Sequence, residues 1–148
     1  MIYLGTSYLT KIYTAETGSA EVVAWMTGQR GFVCCQHGRL ELIASFKRHQ
    51  REGHLSARDL ATLVQRLESD ETIGHLAWLP IDLALIRRAG ELVASCPPAI
   101  FLRAADALHL ACAADAGLKE IYSHDRHLLA AAPHFGLRGR DVISPKTK

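Results

Sequence analysis

The sequence predicts one α/β domain over residues 1–148, in which a central parallel sheet is flanked by helices in three layers. The chain of 148 residues has the usual length of a domain and is long enough to bury a sizeable core. Its hydrophobic fraction of 49% and charged fraction of 22% are typical of soluble globular proteins and exclude disorder and fibrous repeats. Short apolar runs alternate with longer stretches of helical period. Strands separated by helices imply right-handed crossovers and a parallel sheet.

Each predicted element in the first half of the chain has its own signal. Apolar, aromatic and β-branched residues at 2–4 and 32–34 predict two strands. The helical spacing of apolar residues predicts helices over 7–13, around 22–26 and over 39–50. Ser56 is a good N-cap for a further helix through the apolar residues Leu60, Leu63, Val64 and Leu67.

The second half continues the same alternation. Apolar runs at 76–79 and 120–122 predict two more short strands, and residues 82–94 have the period of a helix. The Cys96-Pro97-Pro98 segment then breaks the chain. A very apolar helix is predicted over 103–116 and ends at Gly117, since glycine commonly follows a helix end. The last predicted helix covers 126–132.

Charge and cysteine content exclude several classes of protein. A net charge of +2 does not by itself imply a nucleic-acid partner, and does not exclude one. The basic residues at 47–51 are interpreted first as a solvated helix end and second as a phosphate-contacting patch. No apolar stretch approaches the roughly 18 residues that span a bilayer. The N-terminus has no export signal, so we expect a cytoplasmic protein without membrane contact. The four cysteines fit no zinc-knuckle or secreted disulfide pattern and are interpreted as buried apolar side chains.

Three acidic residues from separate parts of the chain are expected to converge at one edge of the sheet. Ligands of parallel α/β sheets bind beyond the carboxyl ends of the strands. Glu41 lies in the first turns of the helix after the second strand, and Asp125 follows the strand at 120–122. Asp106 lies in the first turn of the helix over 103–116.

Each of these acids also has a purely structural interpretation. Asp125 would be the N-cap of the helix that follows it, and Glu41 would lie on a solvated helix face. Asp106 is harder to dismiss because its helix is apolar almost all round. A buried ionised carboxylate is too costly unless it is paired or holds a metal. His109, which shares a helix face with Asp106, and Arg103 are its candidate structural partners.

Three segments together carry a family resemblance over nearly the whole chain. The opening IYLGTSYLTKIYTAETGSAEVVAW and the segment LELIASFKR, which contains Glu41, are two of them. The third and most specific, LRAADALHLACAADAGLKEIYSHDRHLLAAA, contains Asp106 and Asp125, with Ser123 where the family often has Thr. These segments resemble the PIN-domain ribonucleases, and specifically the VapC-like toxins of bacterial type II toxin–antitoxin pairs.

One position departs from the family pattern. The family opens with a strand followed by Asp-Thr-Ser, whereas here Gly5 precedes Thr6 and Ser7. Gly5 therefore stands where the family has the first acid of its catalytic cluster, and it offers no side-chain oxygen to a cation. Three origins remain open: an inactivating laboratory or spontaneous change, natural decay of a toxin gene, or a variant in which water replaces the ligand. The first is preferred because a toxic nuclease selects against its own expression.

The resemblance implies an endoribonuclease that depends on Mg²⁺ or Mn²⁺, attenuated or inactivated by Gly5. It also implies that Thr6 or Ser7 caps the first helix and hydrogen-bonds a phosphate or a metal-bound water. His109 is expected to support Asp106 rather than to touch the substrate. The implied catalytic and metal-binding residues are Glu41, Asp106 and Asp125, with Gly5 at the position of the lost ligand.

The resemblance also implies partners: an RNA substrate, a VapB-like antitoxin and a second copy of the chain in a homodimer. Two alternatives to the enzyme remain. The first is a catalytically dead PIN-fold protein that acts by binding antitoxin or RNA, which Gly5 favours. The second, which has less support, is a thiol or zinc protein that uses Cys34, Cys35 and histidines.

Overall fold

A five-stranded parallel sheet forms the centre of the computed structural model, which describes residues 1–143. The order of the strands across the sheet is β3-β2-β1-β4-β5. Tyr3 of the central strand pairs with Val33 on one side and with Ile121 on the other. The five strands are β1 (Ile2–Leu4), β2 (Phe32–Cys35), β3 (Leu76–Leu79), β4 (Glu120–Tyr122) and β5 (Arg138–Arg140).

Helices flank this sheet, so the predicted three-layer α/β fold is confirmed. Helix α1 packs against α2 and α3, α3 packs against α4, and α5 packs against α6. A short 3-10 helix, Ala132–Phe135, follows α7. The helices of the described residues are α1 (Thr6–Tyr13), α2 (Ser19–Met26), α3 (Gln36–Arg51), α4 (Ala57–Thr72), α5 (Leu83–Ser95), α6 (Ala104–Asp115) and α7 (Arg126–Ala131).

The core lies on both faces of the sheet, which explains why its inner strands read as continuous apolar runs. All four residues of β2 are buried, and Tyr3 and Leu4 of β1 are completely so. Helix α6 is buried over most of its length, as its almost uniform apolarity predicts. Asp106 and His109 are therefore polar side chains inside the protein, and each needs a partner.

Two elements differ from the sequence prediction. Strand β5 was missed because Arg-Gly-Arg has no apolar signal; only its backbone pairing with β4 makes it a strand. Its charges suit an exposed edge strand, and Arg140 Nε donates to Glu120 at 2.9 Å. Helix α3 begins at Gln36 rather than 39, because the chain turns directly from the extended N-cap Cys35 into the helix. Residues 144–148 lie outside the described residues, so the single domain over 1–148 stays a prediction.

The strand order positions the site. Successive connections run to one side of β1 through β2 and β3, and to the other side through β4 and β5. The direction of the winding therefore reverses between β1 and β4, which leaves a crevice at their carboxyl ends. Among residues 1–143, no helix combines the length and apolarity that a membrane crossing requires.

Candidate functional site

An open pocket of about 530 Å³ lies at the carboxyl ends of β1 and β4. Thr6 and Ser7, directly after β1, line it together with Ser123 and Asp125, directly after β4. Helix α3, the N-cap and first turns of α6, and Leu128 of α7 complete the lining. The charged or titratable residues that α3 and α6 contribute are Glu41, Arg48, Arg51, Arg103, Asp106 and His109. The pocket therefore lies at the crevice that the strand order creates.

The three acids singled out in the sequence all line this pocket. Glu41 comes from α3, Asp106 from α6, and Asp125 from the turn that begins α7. They are not gathered around one point, however. In the part of the chain that the structure describes, the sets of three or more metal-ligand atoms within 4.8 Å of one another do not include this trio. The acids share a pocket, and each has a partner within the chain.

Arg103 is the partner of two of these acids. Its Nε donates to Asp106 Oδ2 at 2.8 Å, and its Nη2 donates to Asp106 Oδ1 at 3.1 Å and also to Asp125. Asp106 Oδ2 also accepts the backbone N–H of Arg103 at 3.2 Å, which closes the first turn of α6. Of the two structural partners that the sequence offers for Asp106, the structure therefore selects Arg103.

Asp125 caps α7, as its structural interpretation predicts, and it also lines the pocket. Its Oδ1 caps α7 by accepting the backbone N–H groups of His127 at 2.9 Å and Leu128 at 3.3 Å. The other oxygen faces Arg103 across the pocket. Burial would raise the pKa of Asp125, but the hydrogen bonds from Arg103 and from the α7 backbone lower it overall. The carboxylate is thus held ionised and oriented.

Glu41 is paired with His109. Its Oε2 lies 2.8 Å from His109 Nε2 and accepts the Thr6 hydroxyl at 2.5 Å. Burial would raise the pKa of Glu41, but the contacts with His109 and Thr6 lower it to about 2. The expectation that His109 supports Asp106 is therefore wrong. The imidazole reaches across to α3, because its Nε2 faces Glu41 rather than the first turn of its own helix.

Thr6 and Ser7 do not cap α1, so the expected capping role is wrong, whereas their contact with a phosphate or a metal-bound water stays a prediction. The N-cap residue is Gly5, and α1 has no side-chain cap. The Thr6 hydroxyl is used on Glu41, whereas Ser7 Oγ accepts the His124 backbone N–H at 2.9 Å and lies 3.0 Å from Ser123 Oγ. Both hydroxyls tie the end of β1 to neighbouring elements of the pocket.

Gly5 adopts a backbone conformation that any residue accepts, with φ −70° and ψ 159°. The space around it is the constraint. An added Cβ would lie 2.9 Å from Ser123 Oγ and 3.1 Å from Ser123 Cβ. A side chain at position 5 therefore requires Ser123 to rotate away from its contact with Ser7.

Two basic residues of the pocket belong to the run 47–51, for which contact with phosphate is the second interpretation from the sequence. Arg48 and Arg51, from the last turns of α3, line the pocket as Arg103 does. The phosphate-contacting interpretation of this basic run stays a prediction beside that of a solvated helix end. Ser123 was noted in the sequence only as a variant of a family threonine. Its position directly after a buried strand is the signal that indicates a pocket residue.

Comparison with known proteins identifies related folds. A family model described as PIN domain matches residues 2–133. The chain is similar to FitAcB from Neisseria gonorrhoeae, with a TM-score of 0.72, 19% identity, and 96% of this chain and 98% of that chain covered. It is similar to FitAB bound to an IR36 DNA fragment (TM-score 0.71, 15% identity, 99% of each chain). A third similar structure is VapC20 of Mycobacterium tuberculosis, a toxin that cleaves the sarcin–ricin loop (TM-score 0.69, 15% identity, 88% and 95% covered). No curated protein matches the sequence.

Proposed function

The chain belongs to the PIN-domain family, and from this premise we propose that it is a VapC-like toxin, a metal-dependent endoribonuclease weakened by Gly5. The observation that carries the proposal is the single pocket lined by Glu41, Asp106 and Asp125 where the strand order reverses. VapC20, which is similar in fold, cleaves the sarcin–ricin loop, and this supports RNA as the substrate class. The site of action we propose is the cytoplasm.

The donor set of the pocket fits a hard divalent cation. Mg²⁺ and Mn²⁺ prefer carboxylate oxygens, and Mg²⁺ is commonly held by one or two carboxylates with several waters. Asp106 and Asp125 would hold the ion, because they already share one cationic group, the Arg103 guanidinium. Glu41 would complete the acidic lining. When bound, the ion would supply Lewis-acid polarisation of a phosphodiester and offset negative charge in the transition state.

The chain's own side chains would position the substrate. Arg48 and Arg51 bring positive charge to the pocket and would contact the RNA backbone, as basic side chains do in nucleic-acid complexes. Thr6 and His109 orient the Glu41 carboxylate and lower its pKa, so that it stays ionised. Arg103 would have to release Asp106 and Asp125 before a cation is bound, and would then be free to contact phosphate.

Gly5 removes one oxygen ligand and one negative charge from this arrangement. We therefore expect this chain to cleave RNA poorly or not at all. The test is Mn²⁺-dependent cleavage of a labelled single-stranded RNA pool by a Gly5→Asp variant, with Gly5→Asp/Asp106→Asn as the control. Cleavage by the single variant that EDTA and Asp106→Asn abolish supports the proposal. Cleavage that survives both contradicts it.

A second candidate function is binding without catalysis. The absent acid at Gly5 and the neutralisation of Asp106 and Asp125 by Arg103 favour it. In this case the chain would pair with a VapB-like antitoxin, as a homodimer, and act by sequestration. A Gly5→Asp variant that binds an RNA pool but never cleaves it, in Mn²⁺ or Mg²⁺, would favour this candidate over the nuclease.

A further inference from the structure

A second cluster of reactive side chains lies directly behind the acidic pocket. Cys34 and Cys35 end β2, and His109 reaches them from α6. His109 Nδ1 lies 3.7 Å from Cys34 Sγ and 3.4 Å from Cys35 Sγ, and the three ligand atoms all lie within 4.8 Å of one another. The side chains are closed off from solvent, with exposed fractions of 0%, 0% and 2%.

We propose that Cys34, Cys35 and His109 form a buried binding site for a thiophilic divalent metal ion, of which Zn²⁺ is the expected occupant. Thiolate sulfur and imidazole nitrogen are the ligands that zinc prefers in structural sites. Hard ions such as Mg²⁺ prefer oxygen and would not compete here. The ligand atoms of this site are sulfur and nitrogen rather than the carboxylate oxygens of the pocket, and the proposal does not depend on the proposed nuclease activity.

The spacing of the three atoms fits this ion. With Zn–S near 2.3 Å and Zn–N near 2.0 Å, a tetrahedral site separates sulfur from nitrogen by about 3.5 Å. The two observed separations, 3.4 Å and 3.7 Å, lie on either side of that value. Charge also balances, because two thiolates neutralise one divalent cation once both thiol protons pass to solvent. A neutral complex can be buried where an isolated ion cannot.

The surroundings of His109 orient it for this role. Histidines that bind metals almost always donate their other ring N–H to a carboxylate or carbonyl. Here Nδ1 faces the sulfurs, and Nε2 lies 2.8 Å from Glu41 Oε2. Tyr3 Oη, 2.9 Å from Nδ1, also accepts the backbone N–H of Cys35 at 3.1 Å. The Tyr3 phenol therefore holds the end of β2 beside the imidazole.

Gly38 lets α3 approach the cluster. An added Cβ at this position would lie 2.4 Å from Cys34 Sγ and 3.1 Å from His109 Cε1. The first turn of α3 therefore closes over the sulfurs. An ion held there would connect β2 to α6, and through His109 it would fix the orientation of Glu41 on α3.

The first experiment measures metal content and ligand type in the full chain. Protein is produced in zinc-supplemented medium, purified under reducing conditions and subjected to elemental analysis, where we expect about one zinc per chain. Exchange with Co²⁺ should give thiolate-to-cobalt charge-transfer absorption and the intense visible bands of tetrahedral cobalt. Cys34→Ser and Cys35→Ser should each lose the charge-transfer band. Cys96→Ser, a change at a partly exposed thiol outside the cluster, should retain it.

X-ray absorption of the zinc-loaded unsubstituted chain identifies the atoms that bind zinc, even if the cysteine variants do not fold. The expected first shell contains two sulfurs near 2.3 Å and at least one nitrogen near 2.0 Å. A shell of nitrogen and oxygen only would overturn the proposal. Such a shell would assign the zinc to the surface set of His49, Glu52 and His54, and His49→Ala would then remove the zinc. Protein that takes up no zinc or Co²⁺ under reducing conditions would overturn it equally.

Discussion

Restoring an acid at position 5 should return RNA cleavage to this chain at little cost in stability. Gly5→Asp needs no backbone change, because φ −70° and ψ 159° suit any residue. The new Cβ would meet Ser123 Oγ at 2.9 Å, so the Ser123 hydroxyl must rotate. That rotation sacrifices its contact with Ser7 at 3.0 Å or its bond from the Asp125 backbone N–H at 3.1 Å.

The cost to stability is small compared with the expected gain in activity. One lost hydrogen bond is worth about 1 kcal/mol, and replacing glycine returns roughly 0.4–1 kcal/mol through the unfolded state. We therefore expect the melting temperature without metal to fall by no more than about 4 °C. Removing one group that stabilises a transition state costs about 100- to 1000-fold in rate, so its restoration should raise cleavage at least about 100-fold.

The assay compares three variants at position 5 with the unchanged chain. Initial rates are measured on a fluorogenic single-stranded RNA pool in Mn²⁺, with EDTA as the blank. Gly5→Asn has nearly the same shape as Gly5→Asp without its charge, and Gly5→Ala adds only the Cβ that displaces Ser123. Only Gly5→Asp should gain activity, because the proposed metal site needs an anionic oxygen at position 5. Equal rates for Gly5→Asp and Gly5→Asn, or for Gly5→Asp and the unchanged chain, would refute the assignment of this position.

Three further predictions follow from the contacts. Arg103→Met leaves the buried carboxylate of Asp106 without its cation, so without metal the variant should unfold at a lower temperature than the unchanged chain. Mn²⁺ should stabilise the variant more than the unchanged chain, because the ion no longer competes with Arg103 for the carboxylate. Thermal melts with and without Mn²⁺ measure both effects, and an unchanged response to Mn²⁺ would refute this competition. The folded protein lowers the pKa of Glu41 from 4.5 to about 2, so as the pH falls Glu41 takes up its proton in the unfolded chain before it does so in the folded one. The stability that this carboxylate contributes above about pH 4.5 is therefore lost between pH 4.5 and 2. Urea unfolding should show a weaker pH dependence over that interval in Glu41→Gln, and an identical dependence would argue against the pairing. Gly38→Ala should destabilise the fold by about 1–3 kcal/mol, because the added Cβ meets Cys34 Sγ at 2.4 Å. The control Gly90→Ala, in an open position of α5, should stabilise the fold by about 0.5–1 kcal/mol. A Gly38→Ala variant as stable as the unchanged chain would contradict the packing around Gly38.

The fold could be predicted from the sequence where local pattern determines it. The alternation of apolar runs and helical periods predicted β1 to β4 and the helices between them. Strand β5 could not be predicted, because Arg138–Arg140 pairs through its backbone alone and carries side chains that signal a loop. The direct turn from Cys35 into α3 was also missed, since the polar residues at 36–39 hide the start of the helix.

The partners within the site depend on tertiary contacts that spacing along the chain does not encode. Asp106 and His109 share a helix face, which suggested that they support each other, yet the imidazole reaches α3 and bonds Glu41. The adjacent cysteines fit no metal motif in the sequence, because the third ligand atom comes from His109, 74 residues beyond Cys35. Such a cluster is visible only once β2 and α6 are packed together.

In the proposed nuclease, Asp106 and Asp125 hold a divalent cation once position 5 contributes a carboxylate. The most direct measurement is a crystal structure of Gly5→Asp grown with Mn²⁺, in which anomalous scattering locates the ion. We expect an anomalous peak within about 2.3 Å of an Asp106 oxygen, with the Arg103 side chain turned away from both acids. If Arg103 still bridges Asp106 and Asp125, and manganese lies elsewhere or is not bound, these acids are not the metal ligands.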